Sequence, residues 1–459
     1  MKKLLSLLLA LVMMLGVCAI AHADEEEAPK LVDAMLVTEV MDWGETLTAI
    51  RLEYSEEIPC DAFDITACDY TVKGLREIVY AYVNNSGKLG DVGAVGKYVF
   101  LKLDVQTSDG NKYLEQVAFN EASSSRPKLN YMYVYQHKDL VTCSGKVIPA
   151  TSIQAKNEIR VGIDDFKNIY VTTVDDTDFY LNLFIPEGYE EKSADLEDLP
   201  LVVHYPSGDY ACIDYNGIYN GALYRHSDAT VWASDEVQAR HPSFVVTIGA
   251  SKRIANTMYG TFDEIWASGV YVEAVRKLIE DYNIDAKRVY AISLAGGTTM
   301  MWNTIMRYPD LYAASISTAF DFYMSYPDPD VAFANLKSVL DACPCWFFAG
   351  MKDSTGSDPF GLGRLKGERL RDIAYLANEA GYHVDVAFGE KGELMWNGIV
   401  RGAEAAKLAE EQIARGTANG DTSFVTIFFP NTLPTSQHWS WQAAYTNPGV
   451  QDWLYAQSK

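Results

Sequence analysis

Three separated segments of this 459-residue chain hold residue types that together do acyl transfer: a hydroxyl-bearing turn, a carboxylate and an imidazole. The first is Arg288-Val-Tyr-Ala-Ile-Ser-Leu-Ala-Gly-Gly297, an apolar strand-like run entering a Gly-Gly turn, followed by a helical stretch that stops near Tyr308-Pro-Asp310. This is the strand–turn–helix setting in which G-x-S-x-G lifts a serine nucleophile. Two registers fit. With the apex at Ala295, Ser293 takes the first glycine's place, Gly296 follows the apex and Gly297 is the last glycine. With the apex at Ser293, the elbow is Ala291-Ile-Ser-Leu-Ala295, flanked by the small residues a tight turn demands. The registers differ by two residues, so strand alternation does not separate them.

The other two groups follow in the order that α/β-hydrolase triads use, nucleophile then acid then base. Asp353 closes Phe348-Ala-Gly-Met-Lys-Asp353, just past a buried-strand pattern, and sheet ends are where sites collect in α/β proteins. His438 lies in Gln437-His-Trp-Ser-Trp-Gln-Ala-Ala-Tyr445, before a final helix. His204, at the end of an apolar run, is read as a core or wall residue. His137, His226, His241 and His383 lack metal-ligand spacing, and the acidic pair Asp328 and Asp330 is too weak for calcium. With no G-x-G-x-x-G, Walker A or zinc spacing, neither a cofactor nor a metal is expected.

The elements that must position these groups are an α/β unit behind a β unit. Residues 30–135 alternate apolar and polar in short runs such as Thr46-Leu-Thr-Ala-Ile-Arg-Leu-Glu-Tyr54 and Ile78-Val-Tyr-Ala-Tyr-Val83, separated by turns such as Asn84-Asn-Ser-Gly87. That predicts a small Ig-like β-sandwich, without the Cys…Trp…Cys core of antibody domains. Residues 136–165 read as a polar passage with some strand character, so the sandwich and its linker are placed at 24–160. From 161 to 459 strands alternate with helices, which predicts a doubly wound, mostly parallel sheet covered on both faces. The segment 394–433, between Asp353 and His438, reads as an insertion bordering or capping the cleft, with one helix over 402–415.

Residues 1–23 have the pattern of a secretory signal: Lys2 and Lys3, an apolar run from Leu4 to Ile20, then Ala21-His-Ala23. Secretion, with no membrane anchor, is the expectation. A formal net charge of −24 argues against nucleic acid or anionic lipid as partners. Cys60 and Cys68 lie close enough in sequence to pair; Cys343-Pro-Cys345 opens an apolar strand and is read as two buried thiols.

The segments Pro200-Leu-Val-Val-His-Tyr-Pro-Ser-Gly208, Val231-Trp-Ala-Ser-Asp-Glu-Val-Gln238, the elbow region 288–311 and the closing run 438–457 resemble secreted α/β-hydrolase esterases with an N-terminal Ig-like domain, relatives of polyhydroxybutyrate depolymerases and prolyl oligopeptidases. The closing pattern is carried by His438, Trp441, Ala444, Tyr445, Pro448, Trp453, Leu454 and Gln457. The resemblance implies that His438 is the base, Asp353 the orienting acid, and a small-molecule or polymer-linked carboxylic ester the substrate. Its elbow frame is kept on both sides, by Arg288-Val-Tyr290 and Arg307-Tyr-Pro-Asp-Leu311, and in that frame Ala295 occupies the nucleophile position. The oxyanion turn departs as well: Pro206 has no N–H to donate, which leaves Ser207, Gly208 and Gly296 as donors. The resemblance thus implies either an esterase with acyl-enzyme chemistry or an inactive binding protein on the same fold.

Overall fold

The computed structural model describes residues 27–459 apart from 42–43, 65–68, 73–76, 106–128, 130, 208–209, 253–265, 355–363 and 434–435. The signal segment, Cys68 and Gly208 therefore lie outside the described residues. The chain forms two compact units. The smaller takes in residues up to Leu36, with Thr48–Asp104 and Asn130–Glu158; the larger holds Val37–Leu47 and Ile159–Lys459.

In the smaller unit, the strand Gly44–Pro59 pairs, from Ala49 on, antiparallel with Val95–Leu103, which pairs antiparallel with Ile78–Asn84. A second, three-stranded sheet runs Tyr70–Val72, Met132–Gln136, Thr151–Ala155. Alternation along residues 50–54 buries Ile50, Leu52 and Tyr54, and Val99, Phe100 and Leu101 form a continuous buried run. The stretch read as a polar passage holds strands at Thr151–Ala155 and Asn157–Val161. The two units divide between Glu158 and Ile159, and Val37–Leu47 is counted with the larger one. This segment joins the larger unit: Glu45, fully buried, accepts from Arg160 Nε at 3.1 Å and from Thr38 Oγ1 at 2.7 Å. Alternation says which face of a strand is buried, not which core it joins.

The larger unit is built on nine strands: β1 (Phe166–Val174), β2 (Thr177–Phe184), β3 (Leu199–Tyr205), β4 (Phe244–Ala250), β5 (Ile284–Leu294), β6 (Ala314–Thr318), β7 (Cys345–Gly350), β8 (Val384–Ala387) and β9 (Ser423–Phe428). Their spatial order is β1-β2-β4-β3-β5-β6-β7-β9-β8. The pairs β1/β2 and β2/β4 are antiparallel, and every later pair is parallel. Every residue of β3, β4, β6, β7 and β9 is buried, as continuous apolar runs require in a sheet covered on both faces. Leu201, Val203 and Tyr205 face one core with Met300, Trp302 and Phe347; Val202, Tyr290 and Ile292 face the other with Trp346, Trp441 and Trp453.

One element departs from the sequence reading. The segment taken for a cap contains β9, seated between β7 and the edge strand β8. Ser-Phe-Val-Thr-Ile-Phe has the composition of a buried strand, and it starts just past Gly420, whose φ of +80° ends the helix Gly402–Asn419. The chain between Asp353 and His438 is thus part of the sheet's framework.

Candidate active site

The site begins where β5 ends. Its last residues are held on both sides: Ser293 lies opposite Tyr205 of β3 and Ser317 of β6, and Leu294 opposite Thr318. Pairing stops at Leu294, the next residue turns, and the helix α1 (Gly297–Arg307) starts two residues later. Ala295 sits at this turn with φ +46°, in the left-handed region. A residue with a Cβ pays about 1–2 kcal/mol there, so the surroundings must enforce the turn. Ala295 N–H donates to the Thr318 carbonyl at 2.9 Å, and Thr298 N–H donates to the Ala295 carbonyl at 3.0 Å. Gly297 is required by close approach: a Cβ there would stand 2.4 Å from the carbonyl oxygens of Tyr205 and Pro206. The backbone thus has the form of a nucleophile elbow with a methyl group at its apex.

Ser293 lies two residues back, inside the strand and without solvent exposure. Its Oγ donates to Thr298 Oγ1 at 3.0 Å. Its carbonyl accepts from the Tyr445 hydroxyl at 2.6 Å and from Thr318 Oγ1 at 2.8 Å. Ser293 is thus a strand residue: β5 runs on past Ile292, with Ser293 and Leu294 paired with β6.

At the neighbouring strand ends the imidazole and carboxylate come together. Asp353 follows β7, is buried, and donates its N–H to the Gly350 carbonyl at 3.1 Å. His438 follows β9, and its Nδ1 stands 2.8 Å from Asp353 Oδ2. Gly350 makes the approach feasible, since a Cβ there would lie 2.1 Å from the Gln437 carbonyl oxygen. Ser440 Oγ anchors the same loop on the Phe348 carbonyl at 3.3 Å, and Trp441 packs edge-on against the His438 ring with centroids 5.5 Å apart. Burial pulls the His438 imidazolium down from the ordinary histidine range; the Lys366 charge acts in the same direction, and Asp353 opposes both.

Residues 33–149 match the family of esterase Ig-like N-terminal domains. This is an α/β-hydrolase fold behind an esterase-type Ig-like domain. The crystal structure of a thermostable esterase aligns with 93% of the chain and 100% of its own length, at TM-score 0.66 and 20% identity, and so shares the fold across both units. Esterase 2 of Thermogutta terrifontis, phosphorylated by paraoxon, aligns with 61% of this chain and 93% of its own at TM-score 0.34 and 12% identity. A prolyl endopeptidase aligns with 94% and 52% at TM-score 0.35 and 11% identity. No curated protein sequence matches the chain.

Of the three oxyanion candidates in this α/β-hydrolase unit, Ser207 is half-buried after β3 and accepts at its carbonyl from Tyr210 N–H at 3.0 Å. Gly296 is buried between the Ala295 turn and α1, and Gly208 lies outside the described residues. His204 is a core residue, with Nε2 2.9 Å from Asp228 Oδ2 and Nδ1 2.9 Å from Thr247 Oγ1. Cys343 and Cys345 are both buried. Among the described residues no group of three His, Cys, Asp or Glu side chains is arranged to hold a metal ion.

Sequence reasoning missed Lys366. It opens the helix α2 (Lys366–Glu379), is only 1% exposed, and points its ammonium into the Asp353–His438 pair. Its Nζ lies 3.4 Å from Asp353 Oδ2 and 3.3 Å from His438 Nδ1, and donates to the Ala319 carbonyl at 3.1 Å. A lysine in Gly-Arg-Leu-Lys-Gly-Glu-Arg looks like any solvated charge; only the apolar residues beside it, Leu365 and Leu370, hinted at burial.

Proposed function

We propose that this protein is an exported, esterase-like α/β-hydrolase that holds a carboxylic ester or ester-linked polymer in its cleft, with Ala295 where acyl-enzyme chemistry needs a serine. The observation that carries the reading is the turn itself: a non-glycine residue at φ +46° between β5 and α1, with Ser293 enclosed two residues upstream. In the active form of such a site the apex hydroxyl gives its proton to the imidazole, the carboxylate holds the other ring nitrogen, and the oxygen attacks the ester carbonyl. Asp353 and His438 have the separation for the second of these roles, and the methyl of Ala295 offers nothing for the first. The signal-like segment 1–23 supports export, the net charge of −24 speaks against a nucleic acid partner, and the esterase-type Ig-like domain supports an ester as ligand.

A fluorophosphonate probe tests this, since it reacts only with an activated serine. The native protein is expected to stay unlabelled and the Ala295→Ser variant to be labelled at residue 295. Labelling of the native chain at Ser293 would overturn the reading and make this an ordinary serine esterase.

A further inference from the structure

Lys366 is a buried charge at the centre of the site with no part in acyl transfer. We propose that Lys366 is the built-in counter-ion of Asp353: it occupies the electrostatic role that a protonated His438 would fill during ester cleavage, and so holds His438 in its neutral, non-basic form. The proposal rests on the reading of Ala295 given above and extends it: the site has lost base strength as well as a nucleophile.

The geometry is specific. A triad aspartate serves by being an unbalanced carboxylate beside the imidazole, so that the imidazolium formed on proton transfer is stabilised. Here one oxygen, Asp353 Oδ2, is shared by His438 Nδ1 at 2.8 Å and Lys366 Nζ at 3.4 Å. The ammonium balances the carboxylate before any proton moves, and at 3.3 Å from Nδ1 it opposes a second positive charge on the ring. Water relieves that opposition only from the side of the His438 ring, which is 19% exposed, because the Lys366 side chain is 2% exposed.

The lysine is held there by its helix. The backbone N–H of Lys366 donates to the Asp353 carbonyl at 3.1 Å. Gly367 lets α2 approach β7, since a Cβ on it would lie 2.7 Å from Met351 Cα. The N-terminus of α2, with its partial positive charge, therefore also faces the loop that carries Asp353. Among the described residues, Asp321 and Arg369 also act on the ammonium, and they pair with each other at 2.8 Å. That ion pair occupies the Asp321 carboxylate, so Asp353 is the main partner of Lys366. Burial pulls the Lys366 ammonium down, and Asp353 and Asp321 hold it up.

The test is Lys366→Met, which keeps the stem and removes the charge, read by NMR titration of the His438 ring in the full chain. The proton affinity of His438 is expected to rise by tenfold or more relative to the native protein. In the Ala295→Ser background, adding Lys366→Met is expected to raise kcat on p-nitrophenyl acetate by at least tenfold. An unchanged or weaker His438 proton affinity in folded Lys366→Met would overturn the proposal. Lys366→Gln gives the same comparison if the methionine variant does not fold. The titration needs no activity, so it decides the role of Lys366 even if Ala295→Ser fails to react with the probe.

Discussion

The β5–α1 turn and the Asp353–His438 pair differ in what they supply. At the turn the backbone is intact: the positive φ at Ala295, the bond from Ala295 N–H to Thr318, and the close seat of Gly297 under Tyr205 and Pro206 all remain, while the reacting atom is absent. At the acid–base end the side chains are present and bonded at 2.8 Å, while a buried ammonium alters their electrostatics. The difference shows where each property resides. Elbow geometry is set by neighbours that clamp the backbone, so exchanging the apex side chain leaves it standing. Base strength depends on the charge balance of a few buried groups, so on the proposal above a single lysine changes it.

The largest effect is expected from placing a hydroxyl at the turn. Loss of a triad serine costs on the order of 10⁶ in kcat where it has been measured. Ala295→Ser should therefore raise turnover of short p-nitrophenyl esters by several orders of magnitude over a native baseline near zero, and Ser293→Ala should leave that baseline unchanged. The reverse pattern would break the comparison at its first term.

A smaller but still large effect is expected for Asp353→Asn. Lys366 would keep a buried charge without its carboxylate, and breaking one side of a buried ion pair typically costs about 3–5 kcal/mol. Urea denaturation should show a loss in that range; a loss below about 1 kcal/mol, the scale of an exposed pair, would mean that the ammonium is not balanced by Asp353.

The pH response comes next. His438 binds a proton less readily folded than unfolded, the unfolded value being about 6.5. The stability this contributes is fully present above that value and is lost as pH falls through the lower folded value. Between pH 7 and 5 the native protein should lose stability more steeply than His438→Gln, by at most about 1.4 kcal/mol per pH unit for the single group. Equal slopes in urea titrations at the two pH values would argue against a depressed imidazole. The smallest effect is at the apex: Ala295→Gly removes about 1–2 kcal/mol of left-handed strain and adds about 0.5–1 kcal/mol of unfolded-chain entropy, for a net gain below about 1.5 kcal/mol in thermal unfolding.

Much of the frame was legible because it is written in local pattern. The buried runs of β3, β4, β5 and β7 read as strands of a covered parallel sheet, and chain order alone suggested that Asp353 and His438 would meet. Other features depend on tertiary context. The choice between Ser293 and Ala295 turned on whether β5 still pairs with β6 at Leu294, which alternation does not report. The strand β9 was hidden because it follows a long helix and sits out of sequence order, between β7 and β8. Lys366 was hidden because burial of a lysine is a property of what packs around it.

The strained turn at Ala295 also bears on how this chain changes over generations. Alanine and serine codons differ by one base, and the costly part of a nucleophile turn, its backbone, is already in place and held by Thr318, Thr298 and Gly297. A reverting mutation would regain the oxygen without any rearrangement of the fold. On the proposal above, Lys366 then acts as a brake on reversion: with the base damped, a revertant gains hydrolysis but stays about tenfold or more below the rate it would reach once a second change removes the ammonium. On the proposed reading, two substitutions far apart in sequence would separate the present protein from a fully competent esterase.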